Sequence, residues 1–415
     1  MISYADALNL IDANVEPLGA TPLSLDQIGN AANADPVTSK LDVPAFANAA
    51  MDGFALRAAD TSDATAEAPL HLPVTGIVAA GDAPADAPPR GAAIEIMTGA
   101  PLPRDCDSVI PIERVETETD AANGIVAIGI REPLETGRNV RSAGEDFRAG
   151  QIVLEGGQPA EPHDVMALAA TGNDRIVART MPRIAIITTG SELADAGAPA
   201  DPGMIRDANG PYLQAFIESI GATQTTRINV ADRSEDLEAA LESASHDADV
   251  ILTTGGVSAG RYDLIPDAIE RLGGRIVFHK VAIRPGKPLL FARLPNKTLL
   301  FGLPGNPIAA AVGLRFFVVR SLRRLQGLPP ENFHAAVSDE RIRKRSSLCF
   351  FGKASARADA DGRLRVTLLP GQESFKIKPL TKANCWAVVP EGPEVVEPGD
   401  VIRIAPLYPT GFLQD

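Results

Sequence analysis

The sequence predicts a multidomain protein of mixed α/β and β class. A central α/β domain carries a mostly parallel sheet flanked by helices. A small β module and an N-terminal region precede it, and a C-terminal β domain follows. Three observations carry this reading. The chain has 415 residues, more than one ordinary core accommodates. From Arg183 onward apolar strands alternate with helical segments, the pattern of a parallel sheet covered on both faces. On either side of that stretch the texture changes to short apolar runs broken by Gly, Pro and Asp, as in small β modules.

Residues 3–14 read as a short amphipathic helix with Leu8, Ile11 and Val15 on one face. A Pro-punctuated region follows through Pro44. Residues 52–135 hold alternating runs such as "LHLPVTGIVAAG", "DSVIPIERVE" and "NGIVAIGI". "HDVMALAATGNDRIVA" reads as a helix, a glycine stop and a strand. "RIAIITTGSEL" is a strand into a glycine loop, and "NGPYLQAFIESIGA" a helix that Gly221 ends. "TQTTRINV" is a strand, and "SEDLEAALESAS" a helix with Ser234 as N-cap. "DVILTTGG" is a strand, "DLIPDAIERLGG" a helix and "RIVFHKVAI" a strand. "NPIAAAVGLRFFVVRSLRRLQG" closes the domain as one long helix, and Pro329 and Pro330 form a linker. Residues 336–415 return to β texture, with "DGRLRVTLLP" and "ANCWAVVPEG" as strands.

Bulk properties exclude several function classes. The formal net charge of -14 argues against general nucleic-acid binding, while leaving room for a local basic patch. Cys106, Cys349 and Cys385 are far apart and form no CxxC pair, which argues against a disulfide framework or a zinc site. The N-terminus lacks the basic residues and apolar run of a signal peptide. No stretch has the length of a membrane span. The expectation is a cytoplasmic protein that binds neither membrane nor nucleic acid.

Two strand ends carry matching punctuation: "TTGSEL" at 188–193, with Thr189, Gly190 and Ser191, and "TTGGVSAG" at 253–260, with Gly255, Gly256 and Ser258. One such loop alone is as readily a tight βα turn. Two at one sheet edge point to a phosphate or nucleotide, because ligands bind past the carboxyl ends of strands in open sheets. Neither loop is a GxGxxG or Walker A sequence. Lys280, Arg284 and Lys287 crowd into "HKVAIRPGKPLLF". The even spacing of Lys280 and Arg284 allows both to point the same way from one strand. A solvated basic face is the plain alternative, but the Pro-Gly punctuation fixes a turn that such a face does not need. "LPGNP", with Pro304, puts a rigid turn before a helix with Asn306 as N-cap. The acids are spread along the chain, Asp52 in "AAMDGFA", Asp146 in "SAGEDF", Glu192 in "TGSEL", Asp232 in "NVADRS" and Asp263 in "GRYDL", several beside glycine loops, and any one alone is more readily a turn or cap residue. With no His or Cys cluster, carboxylates and phosphate are what a Mg²⁺-type site would use.

Taken in order, these stretches resemble one known family. "VPAFANAAMDGFALRAAD", "IMTGAPLP", "VRSAGEDF", "TTGSEL", "TTGGVSAGRYD", "RPGKP" and "GLPGNP" occur in the order seen in molybdopterin molybdenumtransferases. This is the MoeA family of molybdenum insertases, related to the E domains of gephyrin and its plant counterpart. The resemblance runs from near the N-terminus to the C-terminus and is weaker over residues 336–415.

It implies the last step of molybdenum cofactor synthesis. Adenylylated molybdopterin and molybdate, as substrates, give molybdenum cofactor and AMP with Mg²⁺ or another divalent cation assisting. It also implies a homodimer, with a cleft between the α/β domain of one subunit and the β module of the other, and transient contacts with other cofactor-biosynthesis proteins. Carried over by motif, Asp52, Asp146, Glu192, Asp232, Asp263, Lys280 and Arg284 are expected to be catalytic, with Glu192 and Asp263 on the metal. Thr98, Thr189, Gly190, Ser191, Gly255, Gly256, Ser258, Lys287, Pro304 and Asn306 are expected to hold substrate. The implied division is a discontinuous dimerisation domain (1–51 and 136–178), an inserted β domain (52–135), a molybdopterin-binding domain (179–328) and a C-terminal β domain (329–415).

Arg284 departs from the lysine common in the family; it keeps the charge but offers a planar fork. Asn48 and Ala50 depart from the usual loop before "MDG". Residues 341–382 hold eleven Lys/Arg against three acids and read as the basic wall of the cleft. Two other functions are kept open: an adenylyltransferase acting one step earlier, and a non-catalytic scaffold.

Overall fold

The structure, a computed structural model, describes residues 1–409 apart from 30, 123, 195–196, 198–200, 222–224 and 258–263. The chain forms two compact units.

One unit spans Pro36–Gly156 and Ala160–Ile176. Its centre is a six-stranded sheet in the order Ser108–Pro111, Gly53–Leu56, Ala93–Ile96, Leu70–Val78, Gly124–Ile130, Glu116–Asp120. Phe54, Leu56, Leu72, Ile110, Ile128 and Ile130 fill one side of it. Gly53 is required where it stands: a Cβ there would run into the Ile110 carbonyl and lie 2.9 Å from the Pro111 Cα. The helix Pro162–Ala170 opens on a capping box between Glu161 and Asp164. Gly172, at φ +79, follows its end, as the sequence pattern predicts.

The other unit holds Met1–Asp35, Gly157–Pro159 and the chain from Val177 onward. Its N-terminal helix, Tyr4–Asn14, is capped by the Ser3 hydroxyl, which accepts from the Asp6 N–H (3.0 Å). The α/β core follows: β1 (Ile184–Thr189), α1 (Asn209–Ser219), β2 (Thr225–Val230), α2 (Ser234–Asp247), β3 (Val250–Thr254), α3 (Leu264–Arg271), β4 (Arg275–His279), β5 (Leu290–Arg293) and β6 (Leu299–Leu303). Strand order is β2-β1-β3-β6-β5-β4. β5 runs opposite to the other five strands, which all point the same way.

Every residue of β1, β3 and β6 is buried, and their side chains alternate between two cores. Ile184, Ile186 and Leu252 join Leu213 and Phe216 of α1. Ala185, Ile187 and Ile251 join Leu237 and Leu241 of α2. That division is why these strands read as continuous apolar runs. Ser234 is the first residue of α2 and not its cap; its hydroxyl donates to Glu238 one turn on (2.7 Å).

The predicted closing helix carries a π turn at Leu314–Val318 between the α segments Pro307–Gly313 and Val319–Leu325. The turn is fully buried and contains Arg315, whose guanidinium forks onto Glu331 (2.7 and 2.6 Å) and donates to the Pro406 carbonyl (2.9 Å). Beyond it, five strands close into a barrel, because Cys349–Ala358 pairs with both Leu364–Leu368 and Cys385–Val389. Phe350, Val366, Ala387, Ile402 and Ile404 fill it.

Candidate functional site

In this sheet the chain leaves β1 for β2 on one side and later for β3 on the other. The crevice lies where that direction switches. The loops after β1, β3 and β6 are therefore neighbours at one edge, and their glycines let them close on each other. Gly255 sits at φ +90, and a Cβ there would lie 2.7 Å from the Thr189 carbonyl oxygen. Its N–H donates to the Leu303 carbonyl (3.3 Å). Gly256 is also left-handed, at φ +63.

Pro304 is buried, while Gly305 and Asn306 are exposed. Asn306 occupies the N-cap position, but its side chain makes no capping bond. The Ile308 N–H is taken by the Ser374 carbonyl (2.9 Å). Ser191 donates its N–H to Asp232 (3.0 Å), joining the loops after β1 and β2, and Glu192 is exposed beside it. Ser258 and Asp263 lie outside the described residues.

Two residues missed in the sequence join this edge. Asp207, nearly buried, accepts from the Gly210 N–H (2.9 Å) and caps the start of α1. Asn209 donates to the Gly305 carbonyl (2.8 Å), tying α1 to the loop after β6. The signal was the Asp three residues before Gly210 in "RDANGP"; a helix start placed at "NGPYLQ" passes it over.

Lys280 and Arg284 do not share a strand. β4 ends at His279, and Lys280 turns the chain at φ +71. The Lys280 N–H donates to Leu289 and the Val281 N–H to Lys287 (2.9 Å each), closing a tight turn with Gly286 at φ +105. Arg284 lies on a separate two-residue strand, Ile283–Arg284, that pairs with Cys349–Phe350 of the barrel. A His279 ring nitrogen is 3.3 Å from the Val257 carbonyl, bringing this turn to the glycine loop after β3. Lys280 is half-buried, and Arg284 and Lys287 are exposed. None of the three forms an ion pair among the described residues. Three unneutralised cations on a rigid turn favour an anion between them.

The basic run 341–382 is less available than its composition implies. Arg341 pairs with Glu397, Arg357 and Arg365 with Asp339, and Lys376 with Glu373. Lys344 and Lys353 are buried and donate to backbone carbonyls. A single basic wall is therefore not what the fold makes of this segment.

In the unit containing the β module, three motifs far apart in sequence converge. The Gly99 N–H donates to Ala49, the Ala50 N–H to Asn139, and the Asp146 N–H to Val43 (2.8, 2.9 and 2.9 Å). One oxygen of Asp52 accepts from both the N–H and the hydroxyl of Thr98 (2.6 and 2.7 Å). These bonds, the backbone one first, hold the Asp52 carboxyl below its usual range. The Asp146 side chain is exposed.

Glu192 and Asp232 offer carboxylate oxygens on adjacent loops, the hard donors that Mg²⁺ takes together with substrate phosphate. Among the described residues, no group of three or more His, Cys, Asp or Glu gathers to hold an ion by itself. No helix of the described residues is long and apolar enough to cross a membrane.

Comparison with known proteins agrees with this layout. Residues 2–172 match the family profile described as MoeA N-terminal region (domain I and II). Residues 185–324 match a probable molybdopterin binding domain, and 339–407 the MoeA C-terminal region (domain IV). The molybdopterin molybdenumtransferase of Synechococcus elongatus is 34% identical over 98% of this chain and 100% of its own. That of Bacillus subtilis is 32% identical over 89% of this chain and 86% of its own. A solved molybdopterin biosynthesis MoeA protein from Pyrococcus horikosii is 28% identical, covers 99% of this chain and 100% of its own, and superposes with a TM-score of 0.82. With one relative more than 30% identical along essentially the full length of both chains, this protein belongs to the MoeA family of molybdopterin molybdenumtransferases.

Proposed function

We propose that the protein inserts molybdenum from molybdate into adenylylated molybdopterin, releasing AMP and molybdenum cofactor. The observation that carries this reading is the turn of Lys280, Arg284 and Lys287, three cations without ion-pair partners among the described residues, beside the glycine loops of the switch point. A substrate whose two ring systems are joined through a pyrophosphate, and molybdate, a dianion, match that charge. The loops Thr189–Gly190–Ser191 and Gly255–Gly256 would receive phosphate against backbone N–H groups. Lys280, Arg284 and Lys287 would hold the pterin phosphate and the oxyanion, with Ser258 donating to molybdate.

Glu192 and Asp263 are the proposed holders of a divalent cation, with Asp232 holding the loop that carries Glu192. When bound, the cation would neutralise phosphate charge. Asp52, Thr98 and Asp146 are proposed to act from the β module of a partner subunit in a homodimer. The four-part division of the chain given above, a cytoplasmic location and transient contacts with other cofactor-biosynthesis proteins complete the proposal.

The decisive measurement is AMP release from adenylylated molybdopterin with and without molybdate, in the presence of Mg²⁺. Molybdate-dependent release with a metallated pterin supports insertion. No release, but adenylylated pterin made from ATP and molybdopterin, moves the protein one step earlier. Arg284→Ala should raise the concentration of molybdate or adenylylated molybdopterin needed for half-maximal rate about tenfold, the loss of one charge-assisted contact. An unchanged concentration dependence would make Arg284 a surface charge. Asp263→Asn should abolish turnover while the melting temperature holds.

A further inference from the structure

The barrel contributes one loop to this edge whose side chains have no role in the account above. Residues 370–379, "PGQESFKIKP", are strapped to the barrel by Lys353. The Lys353 N–H donates to the Gln372 side chain (3.0 Å), which donates back to the Lys353 carbonyl (2.8 Å) and to Leu369 (2.7 Å). The fully buried Lys353 ammonium donates to the carbonyls of Glu373 and Lys376 (3.1 Å each). A buried ammonium is costly without such partners, so the loop's path and the lysine's burial require each other. The Ser374 carbonyl then receives the Ile308 N–H (2.9 Å), seating the loop on the helix that follows "GLPGNP".

The next residue, Phe375, is left 61% exposed on a firmly anchored loop. Lys378, three residues on, has no ion-pair partner among the described residues. Arg284 lies on the strand beside Cys349–Phe350, the start of the strand that carries Lys353. A Cβ on Gly286 of the cationic turn would lie 3.5 Å from the Ala309 carbonyl, so the turn and the loop that carries Phe375 meet the start of the same helix.

We propose that Phe375 is a binding and specificity residue that stacks on a planar heteroaromatic ring of the substrate, and that Lys353 is its positioning residue. The proposal rests on the function proposed above, whose substrate carries a flat ring at each end of its phosphate chain. The cationic turn takes the phosphates, and an aromatic face beside it suits one of those rings.

The test compares the parent with Phe375→Ala and Phe375→Trp, measuring equilibrium binding of AMP, of molybdopterin and of molybdate separately. Phe375→Ala should weaken one ring-bearing ligand about tenfold and leave molybdate affinity and melting temperature unchanged. Phe375→Trp should restore binding. A loss confined to AMP identifies the purine as the stacked ring, and one confined to molybdopterin identifies the pterin. Unchanged affinity for both overturns the proposal. Molybdate-dependent AMP release by the parent is measured alongside. If that release fails, the function is wrong while the binding measurements still judge Phe375. A parent that binds neither ring-bearing ligand overturns both.

Discussion

Asp52 shows how one residue's chemistry is set by its neighbour. Thr98 gives it two hydrogen bonds on one oxygen, and these favour the ionised form. A carboxyl depressed in the fold contributes stability that is complete above the ordinary carboxylate range and is lost as pH falls through the depressed value. Thr98→Val should therefore move the Asp52 titration upward, toward 3.8, in a carboxyl-carbon NMR titration; an unmoved Asp52 would deny Thr98 this role. The thiols run the other way. Burial pushes Cys106 up to about 11, and Cys349 and Cys385 up to about 12. The thiolate is the reactive form, so the native protein should resist alkylation at pH 8 and react at all three positions once denatured. Rapid native labelling would contradict that burial.

At the scale of elements, the glycine loops were legible and their mutual fit was not. The run "TTGG" marks a strand end, but the need for glycine at 255 comes from the Thr189 carbonyl of a neighbouring strand. Gly255→Ala combines a left-handed backbone with that clash. It should cost about 1–3 kcal/mol by thermal unfolding and weaken AMP binding; a variant as stable as the parent would show that the loop relaxes freely. Lys280 and Arg284 carry the same lesson. Their even spacing suggested one strand, yet Lys280 is the left-handed turn residue past the end of β4, and Arg284 lies on a short strand of the barrel sheet. Asn209 and the Ser374 carbonyl escaped the sequence because each acts on a loop distant in the chain, whereas Asp207 acts on Gly210 three residues on and is passed over by a helix start placed at "NGPYLQ".

At the scale of the molecule, Arg315 joins the π-bulged helix to the barrel through Glu331 and Pro406. Its side chain is 1% exposed and that of Glu331 16%. Removing one member of such a pair strands the other charge. Arg315→Leu should lower stability by about 3–5 kcal/mol, and Glu331→Leu in the same chain should recover part of the loss. Equal melting temperatures for Arg315→Leu and the parent would show that the linkage is idle. The basic run of the barrel belongs to this scale too. Its eleven cations looked like one surface, but folding pairs some, buries others and exposes the rest.

The sequence by itself determined the alternation of strand and helix, the positions of the glycine loops, the cationic turn and the ordered motifs that mark the family. Each is written in residues a few positions apart, where period, glycine and charge act locally. Tertiary structure decided which loops meet, which acid accepts from which neighbour, and which cations remain for a ligand. Those outcomes follow from strand order and long-range pairing, and a one-dimensional pattern does not encode which strand lies beside which.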